Sequence, residues 1–138
     1  MKFKILLTAF FIGLLGFSSA AYADNDPVAN PKAQVVSGNA RFTVLTDRLI
    51  RMEWSENGKF EDNATLAIIN RNLPVPAFTT AKSGSGVQIK TSAVTLNYSG
   101  NGRFDKENLS VSFKLNGKTV TWYPGKELGQ SIFFPMRK

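Results

Sequence analysis

The residues of this chain that could do acid–base chemistry are its carboxylates, because it contains no histidine and no cysteine. Their absence excludes Ser-His-Asp and Cys-His catalysis together with the usual zinc sites. Two carboxyl groups about 5–5.5 Å apart can cleave a glycosidic bond with retention of configuration. Eight carboxylates lie beyond residue 40: Asp47, Glu53, Glu56, Glu61, Asp62, Asp105, Glu107 and Glu127.

Glu61 and Asp62 are the one adjacent pair among these eight. Neighbours on an extended strand point to opposite faces, so these two carboxyls should not converge on one bond. We expect them to lie in a solvated turn or to pair with a nearby arginine. The sequence therefore names no catalytic residue, no cofactor-binding residue and no metal ligand, and it leaves the substrate-binding residues unassigned. No cofactor is expected, and independent catalysis is not expected either.

The N-terminus carries the pattern of a secretory signal peptide over residues 1–23. Lys2 and Lys4 form a basic start, residues 5–17 are almost entirely apolar, and Ala21-Tyr22-Ala23 is a small-x-small cleavage site. An apolar run of that length is too short to span a bilayer, which needs about 20 residues. We expect cleavage after Ala23 and a secreted or periplasmic protein without a membrane anchor.

The mature chain is expected to be one domain with a basic surface. The full sequence carries 17 Lys and Arg against 10 Asp and Glu, for a net charge of +7. These cations are scattered rather than clustered, so we expect no nucleic-acid partner. Residues 24–33 hold two prolines and polar side chains, which predicts a flexible leader.

From residue 34 the hydrophobic period is two, which is typical of strands with one buried face. Residues 41–44 and 50–54 alternate in this way, with turns expected at 46–48 and at Asn57-Gly58. We predict a short apolar strand over 65–70, an extended segment over 73–76 at a sheet edge or between sheets, and loops over 82–86 and 99–106. Seven to nine short strands of this kind predict an all-β fold, an antiparallel β-sandwich over residues 34–125.

A late hairpin gives the clearest local signal. Asn116-Gly117 suits the positive φ angles of a type I′ turn. A two-residue loop there pairs Leu115 with Lys118, Phe113 with Val120 and Val111 with Trp122. The apolar side chains then share one face, which supports the register independently of the turn.

Residues 41–76, RFTVLTDRLIRMEWSENGKFEDNATLAIINRNLPVP, resemble the N-terminal domain of family 31 glycoside hydrolases. These are secreted α-glucosidases and α-xylosidases, and the likeness is greatest to the branch of Bacteroidetes-type polysaccharide degraders. The points of similarity are the strand at 49–54, the turn at 60–62, the strand end at 70–71 and the later strands at 94–98 and 108–111. The resemblance covers residues 34–125 through order and spacing, and no single motif is diagnostic.

The resemblance implies a galactose-mutarotase-like β-sandwich that packs against a catalytic (β/α)₈ barrel. The family's nucleophile is an aspartate in a Trp-x-Asp-Met-like motif of that barrel, and a second aspartate is the acid/base. Neither motif occurs in this sequence. We therefore expect a non-catalytic N-terminal module with a structural or carbohydrate-binding role, and the barrel and a carbohydrate are its expected partners.

The tail at residues 126–138 departs from the family. Its SIFFPMRK ending predicts a truncation or a reading-frame change, and with it an incomplete sandwich prone to self-association. The alternative is a small protein whose last strand is residues 132–134.

Two other functional classes remain open. One is a stand-alone secreted carbohydrate-binding module, and the other is an unrelated secreted sandwich such as an adhesin-like or inhibitor domain. A sugar site would need exposed rings. Trp54 and Trp122 fall on apolar faces and are expected in the core. Tyr123 is out of phase with Trp122 and is expected to be exposed. Tyr98 is the remaining large amphipathic ring that could contact a sugar.

Overall fold

The computed structural model describes residues 26–127, and within them the fold is almost entirely antiparallel β. Each of its two sheets is a meander whose strands pair in chain order, three strands in one and five in the other. The three-stranded sheet contains β1 (Gln34–Ser37), β2 (Ala40–Val44) and β3 (Ile50–Trp54). The five-stranded sheet contains β4 (Thr79–Ser83), β5 (Gly86–Lys90), β6 (Val94–Tyr98), β7 (Leu109–Leu115) and β8 (Lys118–Trp122).

The core lies between the two sheets and confirms the all-β sandwich expected from the alternation. Phe42 on β2 is fully buried, and its ring lies 5.5 Å from that of Tyr98 on β6. Phe104, from the loop after β6, closes this group of rings at 5.7 Å from Phe42 and 5.4 Å from Tyr98. Ile89 and Leu96 on the five-stranded sheet are fully buried beside them.

The predicted late hairpin is confirmed in its register. Val111 faces Trp122, Phe113 faces Val120 and Leu115 faces Lys118. Asn116 and Gly117 have φ angles of 50° and 77°, the positive values that a type I′ turn requires. A short-range signal was sufficient here because the turn residues and the hydrophobic pattern specify the same pairing.

The strand predicted over 65–70 is wrong. Residues 55–78 form one long connection between the two sheets, which includes the extended segment expected at 73–76. Within it Thr65 and Ile68 close a local turn, since the N–H of each donates to the carbonyl of the other at 3.1 and 3.2 Å. Leu66, between them, is completely exposed. An apolar run alone does not make a strand when no neighbouring strand offers its backbone groups.

The predicted loop at 82–86 is also too long. Lys82 and Ser83 belong to β4 and Gly86 to β5, so only Gly84 and Ser85 form the turn. The whole of β4 was missed, because this edge strand is exposed along its length and shows no alternation. Chain reversal at 46–48 and at Asn57-Gly58 occurs where expected.

Residues 26–33 are the described part of the leader expected over 24–33, and they contact the rest of the fold. Ala29 and Ala33 are buried, and a short 3₁₀ helix spans Pro31–Ala33. The carbonyl of Asp26 accepts hydrogen bonds from the N–H groups of Arg71, at 2.8 Å, and Asn72, at 3.3 Å. The leader therefore packs against the long connection and holds its far end.

The expected signal peptide at 1–23 and most of the tail at 126–138 lie outside the described residues. Among residues 26–127, no helix has the length and apolar character needed to cross a membrane.

Candidate functional site

The carboxylate that the fold buries is Glu53, on the outer face of the three-stranded sheet. The β2–β3 register places it opposite Arg41. The guanidinium of Arg41 binds both carboxylate oxygens, Nε donating to Oε2 at 2.8 Å and Nη2 to Oε1 at 3.1 Å. Its Nη1 donates to Oδ1 of Asp62 at 2.7 Å. Arg41 thus brings Glu53 and Asp62 together.

One of these contacts was expected from the sequence and another was not. Asp62 does pair with a nearby arginine, as expected for the Glu61-Asp62 dipeptide. The proximity of Glu53 to Asp62 was not predicted, because it depends on how the long connection folds back over β3. The alternation of β2 and β3 could have indicated the Arg41–Glu53 half, since cross-strand partners share a face.

Two further arginines complete what we call the arginine cluster: Arg41, Arg51, Arg71, Glu53 and Asp62. Arg51 forms a close ion pair with Glu53. Arg71 is almost fully buried and donates through Nη2 to the carbonyl of Asn63. All three guanidiniums also donate to one backbone atom, the carbonyl oxygen of Glu61, at distances of 3.0 Å from Arg41, 3.3 Å from Arg51 and 2.8 Å from Arg71.

The pKa of Arg41 and the pKa of Arg71 are shifted in opposite directions within the cluster. Burial by itself would lower the pKa of Arg41, but the hydrogen bonds that its guanidinium donates to Glu53 and Asp62, together with the negative charges of these carboxylates, outweigh it, and the pKa is raised. Burial lowers the pKa of Arg71, and the positive charge of Arg51 lowers it further. The Nε atom of Arg71 is buried without a hydrogen-bond partner among the described residues. Buried charge of this kind is costly unless its partners are fixed in place.

The ion pairs of the arginine cluster fasten one part of the chain to another. A retaining glycosidase holds its two carboxyls on either side of the scissile bond. Here the guanidinium of Arg41 occupies the space between Glu53 and Asp62, and Arg51 also engages Glu53. The ring of Phe60 packs under Arg41, its centroid 4.8 Å from Cζ. The cluster therefore fixes residues 60–63 of the long connection to the outer face of β2 and β3.

The clamped connection carries exposed apolar side chains, which we call the apolar rim: Leu66, Ile69 and Val75. Leu66 is 107% exposed, Ile69 52% and Val75 37%. Single exposed apolar side chains are ordinary on a protein surface. The apolar rim differs from them in that its three side chains belong to one connection that buried ion pairs hold in place.

The aromatic side chains do not form an exposed platform within residues 26–127, where every ring is buried or half-buried. Trp54 packs against the core as expected, and Trp122 lies half-buried between the sheets. Tyr98 is buried and donates its hydroxyl to the carbonyl of Gly102 at 2.6 Å. Tyr123, expected to be exposed, is half-buried, with Nζ of Lys126 5.2 Å from its ring centroid.

The outer face of the five-stranded sheet is polar. Gln88 on β5 faces Asn97 on β6, and its amide donates to the Asn97 side-chain oxygen at 2.7 Å. Ser112 on β7 and Thr121 on β8 are hydrogen-bonded at 2.9 Å in the same way. A groove lined by residues of β4 to β7 and of the loop before β7 includes part of this face. Its polar groups largely satisfy one another, as on an ordinary solvated sheet.

Residues 26–127 hold no group of three His, Cys, Asp or Glu side chains placed to bind a metal ion. A comparison with models of known protein families found no match, and a search of curated proteins found none either.

Proposed function

We propose that this chain is the non-catalytic N-terminal β-sandwich module of a secreted family 31 glycoside hydrolase, and that its role is to pack against and orient the catalytic barrel. The observation that carries the proposal is the long connection at 55–78, which the arginine cluster clamps from below while the apolar rim faces outward. The family assignment rests on the resemblance of residues 34–125.

A surface that is already ordered loses less conformational entropy on docking than a flexible one. A connection without strands would lose backbone and side-chain freedom on docking, which weakens association. In this chain the buried guanidiniums of Arg41 and Arg71 fix the connection in the free module. The apolar rim is then presented in one arrangement, which suits a stable contact with a large, preformed partner.

The non-catalytic part of the proposal is supported by where the carboxylates lie. Glu53 and Asp62 are the pair that the fold brings together, and both are bound by Arg41. Secretion is part of the same proposal and rests on the signal-peptide pattern of residues 1–23.

A stand-alone carbohydrate-binding module is the second candidate, and the polar outer face of the five-stranded sheet favours it. Gln88, Asn97 and Ser110 line the groove there and offer amides and a hydroxyl that could bind sugar hydroxyls. The half-buried state of the aromatic rings weighs against it, because sugar sites of this kind usually stack a ring on the sugar.

The test is a titration against a separately produced catalytic barrel of a family 31 α-glucosidase of the bacterial type that residues 34–125 resemble. We expect binding by this chain and at least a tenfold weaker affinity for the Leu66→Ser/Ile69→Ser variant. Leu115→Ser is the matched control, because Leu115 is also exposed but lies at the tip of the β7–β8 hairpin. Equal affinities for all three proteins, or no binding, would count against the proposal.

A second titration separates the two candidates. Tryptophan fluorescence measured against millimolar α-glucan and xyloglucan fragments should stay unchanged for a packing module. A saturable response that Gln88→Ala abolishes would instead establish the carbohydrate-binding module.

A further inference from the structure

An apolar cleft lies between the two sheets, on the side where β3 and β8 are their edge strands. Its lining comes from β3 and the turn before it in the small sheet, and from β6, β7 and β8 in the large one. Its volume is about 300 Å³. Sites for small molecules have volumes of about 300–1,000 Å³ and are lined mainly by apolar side chains. We call it the inter-sheet cleft; its apolar lining comprises Leu49, Ile50, Met52, Val94, Leu96, Val111, Phe113 and Trp122.

The apolar lining of the inter-sheet cleft is open to solvent in part. Leu96 is fully buried, the rings of Phe113 and Trp122 are half-buried, and Leu49 is 47% exposed. Burial therefore decreases from Leu96 toward Leu49. An apolar group that enters the cleft would remove water from the exposed parts of these side chains, which favours its binding.

Arg48 is the one polar residue that lines the inter-sheet cleft among residues 26–127. Its side chain is 82% exposed, and its Nε lies 3.8 Å from Oδ2 of Asp47. That carboxylate oxygen also accepts a hydrogen bond from the hydroxyl of Ser92 at 3.0 Å. An exposed ion pair at such a distance contributes little free energy. The guanidinium of Arg48 can therefore pair with another anion beside the apolar lining.

The surface next to the inter-sheet cleft carries more positive than negative charge. A neighbouring depression shares Arg48 and part of the apolar lining with the cleft, and it is also lined by the exposed Lys90 and Lys114. Asp47 is the one carboxylate in its lining, so three cations stand against one acid. A surface of one predominant sign attracts ligands of the opposite sign and disfavours those of its own. The charge next to the cleft therefore favours a ligand with an anionic group.

We propose that the inter-sheet cleft binds a single-chain anionic amphiphile, a medium-chain fatty acid, with its hydrocarbon chain against Phe113 and Trp122 and its carboxylate at Arg48. An apolar cavity of about 150 Å³ holds benzene, so a cleft twice that size has room for a chain of about ten carbons. A sugar fits the cleft poorly, because its hydroxyls would find one polar side chain among apolar ones. This inference goes beyond the proposed function, since neither the apolar rim nor a catalytic barrel takes part.

The first test is a calorimetric titration of the full chain with decanoate at neutral pH, below the concentration at which decanoate forms micelles. We expect one decanoate to bind per chain. Octanoate should bind roughly tenfold more weakly, because two fewer CH₂ groups are buried. Decyltrimethylammonium has the same chain length and the opposite charge, and it should bind roughly fivefold more weakly than decanoate. No saturable binding of decanoate, or several molecules bound per chain, would overturn the proposal.

Charge reversal then tests the position of the carboxylate. Arg48→Glu should weaken the binding of decanoate roughly fivefold, because it replaces the partner of the carboxylate by a like charge. Lys82→Glu is the matched control: it makes the same change in net charge at an exposed residue of β4, which lies at the opposite edge of the large sheet from β8. It should change the affinity by less than about twofold. Equal weakening by both substitutions would refute a carboxylate site at Arg48.

Tryptophan fluorescence locates the hydrocarbon chain, because Trp122 lines the inter-sheet cleft and Trp54, the other tryptophan of the chain, does not. Decanoate should shift the emission of the full chain to shorter wavelength and shield it from quenching by iodide. Trp122→Phe should still bind decanoate in the calorimeter but lose most of this change. A change that persists in Trp122→Phe would place the ligand elsewhere. Emission of Trp122 that is already shielded from iodide, with no binding of decanoate, would show that the cleft is filled without a ligand and would also refute the proposal.

Discussion

Replacing Arg41 by methionine tests the clamp most sharply, because this residue joins β2, β3 and the long connection. Its guanidinium makes two hydrogen bonds to Glu53, one to Asp62 and one to the carbonyl of Glu61. Methionine keeps much of the apolar stem but leaves Glu53 buried with less compensation. Removing one partner of a buried ion pair costs about 3–5 kcal/mol.

The expected loss for Arg41→Met lies at the lower end of that range, about 3 kcal/mol, since Arg51 still pairs with Glu53. For a domain of this size the melting temperature should then fall by roughly 15 °C. Urea unfolding followed by tryptophan fluorescence would measure the free energy of unfolding. Arg48→Met is the matched control, because its side chain is 82% exposed and should change stability by less than about 0.5 kcal/mol.

A double-mutant cycle then measures the interaction free energy between Arg41 and Glu53 separately from the effect of each substitution alone. In Arg41→Met/Glu53→Met neither member of the ion pair is left as a buried charge without its partner, although Arg51, Arg71 and Asp62 keep their charges. The double variant should therefore be at least 1 kcal/mol more stable than the sum of the single changes implies. A clamp by Arg41 is contradicted if Arg41→Met is as stable as Arg48→Met, or if the effects of Arg41→Met and Glu53→Met are simply additive.

The pH dependence and the loop geometry give two more predictions. Burial, and secondarily the charge of Asp105, raises the pKa of Tyr98 in the folded state. The hydroxyl of the unfolded chain therefore loses its proton at a lower pH than that of the folded chain, and the free energy of unfolding should fall as the pH rises through about 10. Tyr98→Phe should lower the free energy of unfolding by about 1 kcal/mol at pH 8, because the hydroxyl hydrogen bond is lost. The difference in free energy of unfolding between this variant and the wild type should become smaller above pH 10. A difference that stays constant with pH in parallel urea titrations would contradict this. Gly100→Ala should be much more damaging than Gly102→Ala, because a Cβ at Gly100 would lie 2.1 Å from the Ser85 carbonyl oxygen whereas Gly102 has open space, both at positive φ. Melting curves should show a loss of about 1–2 kcal/mol for Gly102→Ala from backbone conformation alone and a larger one for Gly100→Ala, and equal losses would show that the contact with Ser85 relaxes freely.

The parts of the fold that were predictable from sequence are those governed by neighbouring residues. In the β7–β8 hairpin, Asn116-Gly117 and the alternation around Phe113 specify one register without help from the rest of the chain. The strand β4 lacks such a pattern, since both of its faces are exposed at a sheet edge. The run at 65–70 has the composition of a strand, but the connection that contains it bonds to side chains of the small sheet instead of joining either ladder.

The arginine cluster was only half predictable for the same reason. Arg41 and Glu53 belong to adjacent strands and follow from the β2–β3 alternation. The contacts of Asp62 and Arg71 depend on the path of a 24-residue connection, which no local rule determines.

The proposed role of this chain, to pack against and orient a catalytic barrel without performing catalysis itself, can be tested by activity. The most direct measurement is hydrolysis of p-nitrophenyl α-glucoside by this chain alone, by a separately produced family 31 barrel alone, and by the two mixed. The proposed role predicts no hydrolysis by the chain alone and a rate on mixing that exceeds that of the barrel alone, with the gain lost in Leu66→Ser/Ile69→Ser. Hydrolysis by the chain alone, or an unchanged barrel rate on mixing, would contradict it.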